Sequence, residues 1–214
     1  AGNVPQNTGR WLTLQKGESV TIPCFYHPWY KNYVKQWCSG LEIFSCTVMA
    51  STDSPQVHRV SIIDDPTQGV FTVTMNNVQE SDSGTYWCLG KYGGWNELDD
   101  PYYITVTDTP DMSVKDNMVE AQLGDSVTVH CFYSHSYRDR EKKWCRSEKN
   151  SFCVRSWTRG KSRQRVTLKV DSALGVFSVT VRDLEQKDRG WYWCSVGDRL
   201  FPVHISVTQK RQSK

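Results

Sequence analysis

The sequence predicts an all-β chain of two tandem β-sandwich domains, and three observations carry that expectation. The 8 cysteines fall at 24, 38, 46 and 88 and again at 131, 145, 153 and 194, so separations of 14, 8 and 42 recur as 14, 8 and 41. The repeat extends past the cysteines. Gly69-Val-Phe-Thr-Val-Thr-Met75 returns as Gly175-Val-Phe-Ser-Val-Thr-Val181, and Asp82-Ser-Gly-Thr-Tyr-Trp-Cys88 as Asp188-Arg-Gly-Trp-Tyr-Trp-Cys194. Such self-similarity in 214 residues gives two copies of a domain of about 100 residues. The third observation is period-2 patterning in short runs such as Ser19–Cys24, Arg59–Ile63, Val70–Met75 and Tyr103–Thr107, the mark of half-buried strands. Asp65-Pro-Thr-Gln-Gly69 supplies turn residues between two of them, and one possible helical turn lies at Val78–Ser81. We place domain 1 at residues 1–109, domain 2 at 110–209 and a disordered polar tail at 210–214.

In each copy a tryptophan follows the first cysteine by 13 residues, Trp37 after Cys24 and Trp144 after Cys131. The last cysteine closes Asp-x-Gly-x-Tyr-x-Cys. This is the variable-type immunoglobulin pattern, in which a disulfide joins the two sheets, a tryptophan packs on it, and a tyrosine corner precedes the second cysteine. It pairs Cys24 with Cys88 and Cys131 with Cys194, and makes Tyr86 and Tyr192 the corners. Closing a loop of more than 60 residues stabilises by about 4 kcal/mol in the chain-entropy account. Arg59 with Asp82, and Arg165 with Asp188, stand where such domains place a buried arginine–carboxylate pair. Neighbours on a strand face opposite ways, so if Trp37 is in the core Cys38 looks outward. A hairpin through Ser39-Gly40 brings Cys46 to the same outer face, and Cys145 with Cys153 repeats the arrangement.

An even, regular cysteine set reads as disulfides and an extracellular setting. Cysteines eight apart lack the short knuckle of structural zinc sites, and no histidine has ligand spacing, so neither metal nor cofactor is expected. Catalysis is not expected either, because every cysteine is assigned to a bridge and the five histidines are scattered, none set beside a serine or cysteine that reads as a nucleophile. No apolar run reaches 18 residues, and the start lacks signal-peptide character, so the chain reads as a mature ectodomain whose only tie to a membrane is an anchor outside it. Net charge is +3, divided unequally: residues 1–109 hold 6 basic against 11 acidic side chains, and 110–214 hold 20 against 12.

The segments Lys35-Gln-Trp-Cys38 and Lys142-Lys-Trp-Cys145, each with a second cysteine eight residues on and an Asp-x-Gly-x-Tyr-Trp-Cys ending, resemble the polymeric immunoglobulin receptor and its leukocyte receptor relatives. The resemblance runs from about Thr13 to Val207, and two domains in tandem are similar to the family's short form in bony fish. It implies a type I cell-surface receptor that binds polymeric immunoglobulin, carries it across epithelia and is secreted after cleavage as secretory component. The alternative it leaves is an inhibitory or activating leukocyte receptor reading lipid or Fc. The resemblance also implies contact through three loops at one end of domain 1: Tyr26-His-Pro-Trp-Tyr-Lys-Asn-Tyr33, a second around Thr47–Ser54, and Lys91-Tyr-Gly-Gly-Trp-Asn-Glu-Leu-Asp-Asp100. Only Lys31 and Lys35 match the family's basic first-loop motif; Val34 replaces an expected arginine.

The residues support that end independently. Domain 1 has a long third loop rich in Gly, Trp and Tyr, whereas Ser195-Val-Gly-Asp-Arg-Leu200 permits only a tight hairpin. Trp29, Tyr30, Tyr92 and Trp95 on loops offer rigid aromatic contact area. The candidate ligand-binding residues are therefore His27, Trp29, Tyr30, Lys31, Asn32, Tyr33, Lys35, Tyr92, Trp95 and Asn96. The Phe-Gly-x-Gly bulge used for side-by-side pairing is missing from both domains, so a monomer is expected when free. The run Arg138–Arg165 carries 11 basic against 3 acidic residues and suits steering of an anionic partner, although nucleic acid is not expected. The short link Thr107–Met112, with one proline, predicts end-to-end domains of limited freedom.

Overall fold

A computed structural model of the chain describes residues 9–54, 56–57, 59–148, 152–156 and 165–209. The tail at 210–214 lies outside the described residues. The chain divides into two compact units, residues 1–108 and 109–214.

Domain 1 contains β1 (Arg10–Gln15), β2 (Val20–Phe25), β3 (Val34–Ser39), β4 (Thr47–Ser51), β5 (Gln56–Val57), β6 (Val60–Asp65), β7 (Val70–Met75), β8 (Gly84–Tyr92), β9 (Gly94–Glu97) and β10 (Tyr102–Thr107). One sheet runs β2-β7-β6-β5; the other joins β1 to β10 in parallel and continues antiparallel through β8 and β3 to β4, with β9 on β8. Inward residues alternate along the strands, as in Phe71, Val73 and Met75 of β7 and Leu12 and Leu14 of β1, all buried. Trp37 is fully buried and stacks on Tyr86 at 4.9 Å between ring centroids. The Cys24–Cys88 bridge joins the two sheets beside it.

Domain 2 repeats the plan with β11 (Met112–Ser113), β12 (Met118–Gln122), β13 (Val127–Tyr133), β14 (Lys142–Arg146), β15 (Cys153–Arg155), β16 (Val166–Asp171), β17 (Val176–Val181), β18 (Gly190–Val196) and β19 (Arg199–Thr208). Its sheets are β11-β13-β17-β16 and β12-β19-β18-β14-β15. Cys131 pairs with Cys194, and Trp144 stacks on Tyr192 at 4.8 Å. No described segment forms an α-helix; single 3₁₀ turns occur instead, one at Glu80–Asp82, two residues beyond the start of the expected turn.

Both arginine–carboxylate pairs form as two-pronged contacts, Arg59 Nη1 and Nη2 to Asp82 at 3.0 and 3.1 Å, and Arg165 to Asp188 at 2.9 Å on both prongs. They differ from expectation in burial. The carboxylates are sheltered, but the guanidinium groups are half-exposed because they cap the last turn before β8 or β18 from outside, also holding the carbonyls of Asn76 and Asn77 or of Arg182 and Asp183. Burial by itself would raise the Asp82 carboxyl, but the hydrogen bonds from Arg59 and the Gln79 N–H and the charge of Arg59 outweigh it and hold it below the usual carboxylate range. Asp188 is held down in the same balance by Arg165 and the Glu185 N–H. A carboxyl with a depressed folded-state pKa protonates first in the unfolded chain, so its stabilisation is lost as pH falls through the folded-state value. The melting midpoint should hold from pH 7 to about 5 and fall below about pH 4, with Arg59→Met and Arg165→Met flattening the fall. A midpoint that stayed constant down to about pH 2.5 would contradict this role.

Candidate ligand-binding site

The first loop of domain 1 is built on a short 3₁₀ turn, Pro28–Tyr30, started by proline and capped by His27, whose Nδ1 accepts the Trp29 N–H at 3.1 Å. Proline suits the first position of such a turn because it has no N–H to leave unpaired. The turn projects Trp29 outward at 77% exposure, with Lys31 and Asn32 exposed beside it. Tyr30 meets Tyr33 edge-on at 5.0 Å, and Tyr33 stacks on Tyr92 at 5.4 Å, so an aromatic chain ties the first loop to the third. Gly90 makes room for that junction: a Cβ there would come within 3.0 Å of Leu98 and 3.2 Å of Tyr33.

The long third loop expected over Lys91–Asp100 is partly regular. Its first half is a β-hairpin in which β8 continues to Tyr92 and turns at Gly93 into β9, pairing Lys91 with Trp95 and Gly90 with Asn96. Gly93 has φ of +71°, a conformation glycine adopts without strain. Below the hairpin the chain is pinned to the sandwich. Arg10 donates to Asp99 at 3.2 Å and to the Asp100 carbonyl at 2.5 Å, Asp99 also accepts the Phe25 N–H at 2.8 Å, and the Arg10 guanidinium lies 3.9 Å from the Tyr102 ring centre. The second loop is shorter than the expected Thr47–Ser54, because Thr47–Ser51 pairs with β3 as β4 and leaves a turn from Thr52.

Lys35 requires a correction. It is 0% exposed, sits on the inward side of β3 two residues before Trp37, and cannot meet a ligand. Its Nζ donates to Asp64 at 2.7 Å and to the Lys31 carbonyl at 3.1 Å, and lies 4.4 Å from the Tyr26 ring centre. Tyr26 donates to the other Asp64 oxygen at 2.5 Å, and burial, followed by the Asp64 hydrogen bond and charge, pushes its pKa well up. The Tyr26–Asp64–Lys35 group thus holds the first loop from beneath.

Trp95 also separates from the loop apex. Hairpin register puts Lys91 and Trp95 on the sheet face opposite the core, where Trp95 meets Phe44 edge-on at 5.4 Å. That face carries the second disulfide. Cys38 joins Cys46 there, and Cys145 joins Cys153, so all four expected bridges form. The two copies differ in detail: Cys145 and Cys153 are directly paired across β14 and β15, whereas Cys46 precedes β4 and follows a 3₁₀ turn, Ile43–Ser45, that the sequence did not foreshadow. Cys38 points outward as expected yet is buried, covered by that turn and the third-loop hairpin.

In domain 2 the third loop is the tight Gly197-Asp198 hairpin, with Val196 paired to Arg199. Parts of the basic run, 149–151 and 157–164, lie outside the described residues. Among the described ones Arg155 pairs with Glu141 at 2.5 Å and Arg138 lies 3.9 Å from Asp139. No group of three or more possible metal ligands occurs among the described residues.

Two variable-type sandwiches, each stapled twice, with exposed aromatic loops at one end of the first, define a protein built of immunoglobulin domains. Residues 7–106 and 114–211 match the immunoglobulin V-set domain, and the chain belongs to that family. It is 32% identical over 189 residues to the polymeric immunoglobulin receptor of Mus musculus and 29% identical over 187 residues to that of Rattus norvegicus, each match covering 84% of this chain. The chain spans about a quarter of the length of these curated relatives, 24% of each. It is also 40% identical to the crystallised ectodomain of the teleost fish polymeric Ig receptor, covering 96% of this chain and 98% of that one with a TM-score of 0.46. The resemblance carried by the Lys-x-Trp-Cys segments is thus met by curated relatives matched over 84% of the chain.

Proposed function

We propose that the chain is the ligand-binding ectodomain of an epithelial receptor that captures polymeric immunoglobulin through the loop end of domain 1, carries it across the cell and is released with it as secretory component. The observation that carries this reading is the aromatic chain Tyr30–Tyr33–Tyr92 with Trp29 at its edge, joined across two loops whose bases are pinned. An aromatic surface held in place before binding loses little conformational freedom on contact. His27, Lys31, Asn32 and Asn96 would supply its polar margin, and the free ectodomain is read as a monomer at the cell surface or secreted. The relatives' name, polymeric immunoglobulin receptor, supports the ligand class.

A titration against matched polymeric and monomeric immunoglobulin tests this. We expect the polymer to bind at least tenfold tighter, a difference of about 1.4 kcal/mol. Equal affinity for both forms, or binding to anionic lipid vesicles in place of immunoglobulin, would favour the leukocyte-receptor reading.

A further inference from the structure

The outer face of domain 1 carries a groove that the loop end does not use. It encloses about 270 Å³ between the 3₁₀ turn bearing Phe44 and the hairpin bearing Trp95, with Leu89 and Val48 among its walls and the Cys38–Cys46 bridge in its lining. Phe44 is 83% and Trp95 42% exposed, so two large apolar rings face water at its rim. Lone surface hydrophobics need no explanation, but a contiguous set around a concavity marks an interaction site.

Size and charge decide what it takes. Pockets for drug-sized ligands run about 300–1,000 Å³, so this groove sits at their small end, a size that also suits one anchoring side chain of a protein partner. Lys91 is the one charged residue of the lining, and it is exposed. That places one exposed positive charge beside an apolar hole, with Glu97, opposite Leu89 in the hairpin, on the same sheet face outside the lining. The walls are rigid for a reason visible in the chain: the disulfide fixes the turn to β3, and β8–β9 pairing fixes the hairpin.

From this we infer that the groove is a second contact site for a protein ligand, seating one bulky apolar side chain that has a carboxylate next to it. The inference rests on the proposed function for the identity of that ligand, polymeric immunoglobulin, and extends its contact from the loop end onto the sheet. It also divides the aromatic candidates into two surfaces, with Trp29, Tyr30, Tyr33 and Tyr92 on one and Trp95 with Phe44 on the other.

Two measurements on the whole 214-residue chain test it. The first is immunoglobulin affinity of Phe44→Ser, a change at an exposed position that leaves the core untouched; we expect a loss of about tenfold, and affinity within twofold of wild type overturns the inference. The second needs no immunoglobulin: amide NMR shifts on adding N-acetyl-tryptophan or N-acetyl-tryptophanamide. We expect saturable shifts at Leu89, Lys91 and Trp95, stronger for the acid than for the amide, with the difference lost in Lys91→Gln. Absence of saturable shifts there, or equal response to both probes, overturns it. If wild type fails to bind immunoglobulin, the proposed function falls, and the groove is judged by the probe alone.

Discussion

Asp64→Val should cost domain 1 about 3 kcal/mol, enough to lower its melting midpoint by roughly 12–20 °C. Valine branches one carbon nearer the backbone but is no smaller than aspartate, and Asp64 is partly open to solvent, so loss of packing is a minor part of the effect. The main part is electrostatic. Lys35 is fully buried with Asp64 as its counter-charge at 2.7 Å, and Tyr26 gives its hydroxyl hydrogen to the same carboxylate. Removing one partner of a buried pair leaves the other charge without compensation, which is the expensive case, and it strands a hydroxyl as well. Because Asp64 retains some contact with solvent, the lower end of the usual range applies.

Domain 2 contains the comparison. Asp64 pairs across the sheet with Phe71, and the matching partner of Phe177 is Val170. There Lys142 is buried, its Nζ held by the Arg138 carbonyl and set 4.7 Å from the Tyr133 ring centre, with no ion pair among the described residues. The Tyr133 hydroxyl is buried with no hydrogen-bond partner among them. Burial lowers the Lys142 pKa against a weaker opposing pull from Asp139. A base whose folded-state pKa is depressed opposes folding wherever it is charged, so domain 2 carries this penalty at neutral pH. Val170→Asp should therefore raise the domain 2 midpoint while Asp64→Val lowers that of domain 1. Scanning calorimetry of both variants would resolve the two shifts; equal small changes in both domains would show that the carboxylate does not matter.

Much of this was legible in the chain. The doubled cysteine spacing fixes two domains, and the alternation around Trp37 fixes which of its neighbours face outward. The same alternation gives Lys35 to the core, since it stands two residues before Trp37. The resemblance assigned it to a basic first-loop motif instead, and the carboxylate that makes its burial tolerable lies 29 residues away on another strand. The place of Trp95 on the opposite sheet face was hidden for another reason. Its direction depends on hairpin register, and register depends on where the chain turns; two adjacent glycines, Gly93 and Gly94, allow more than one turn. The burial of Cys38 depended on a 3₁₀ turn folding over it, which no period in the sequence announces.

The separation of the aromatic residues into two surfaces gives the second large expectation. Trp29→Ala combined with Tyr92→Ala should weaken polymeric immunoglobulin binding on the order of a hundredfold, about 3 kcal/mol, because central aromatic anchors carry most of an interface's energy. Both side chains are largely exposed, so the melting midpoint should hardly move. The loss should appear mainly as faster dissociation, since truncating an anchor removes contacts made after encounter. Adding Phe44→Ser to this double variant should multiply the two losses, as independent surfaces require, whereas a single shared patch would give less than the product. Surface plasmon resonance on the four proteins of that cycle measures both quantities together. Affinity within threefold of wild type for the Trp29 and Tyr92 double variant would remove the loop end from the binding site, however well its rings are stacked.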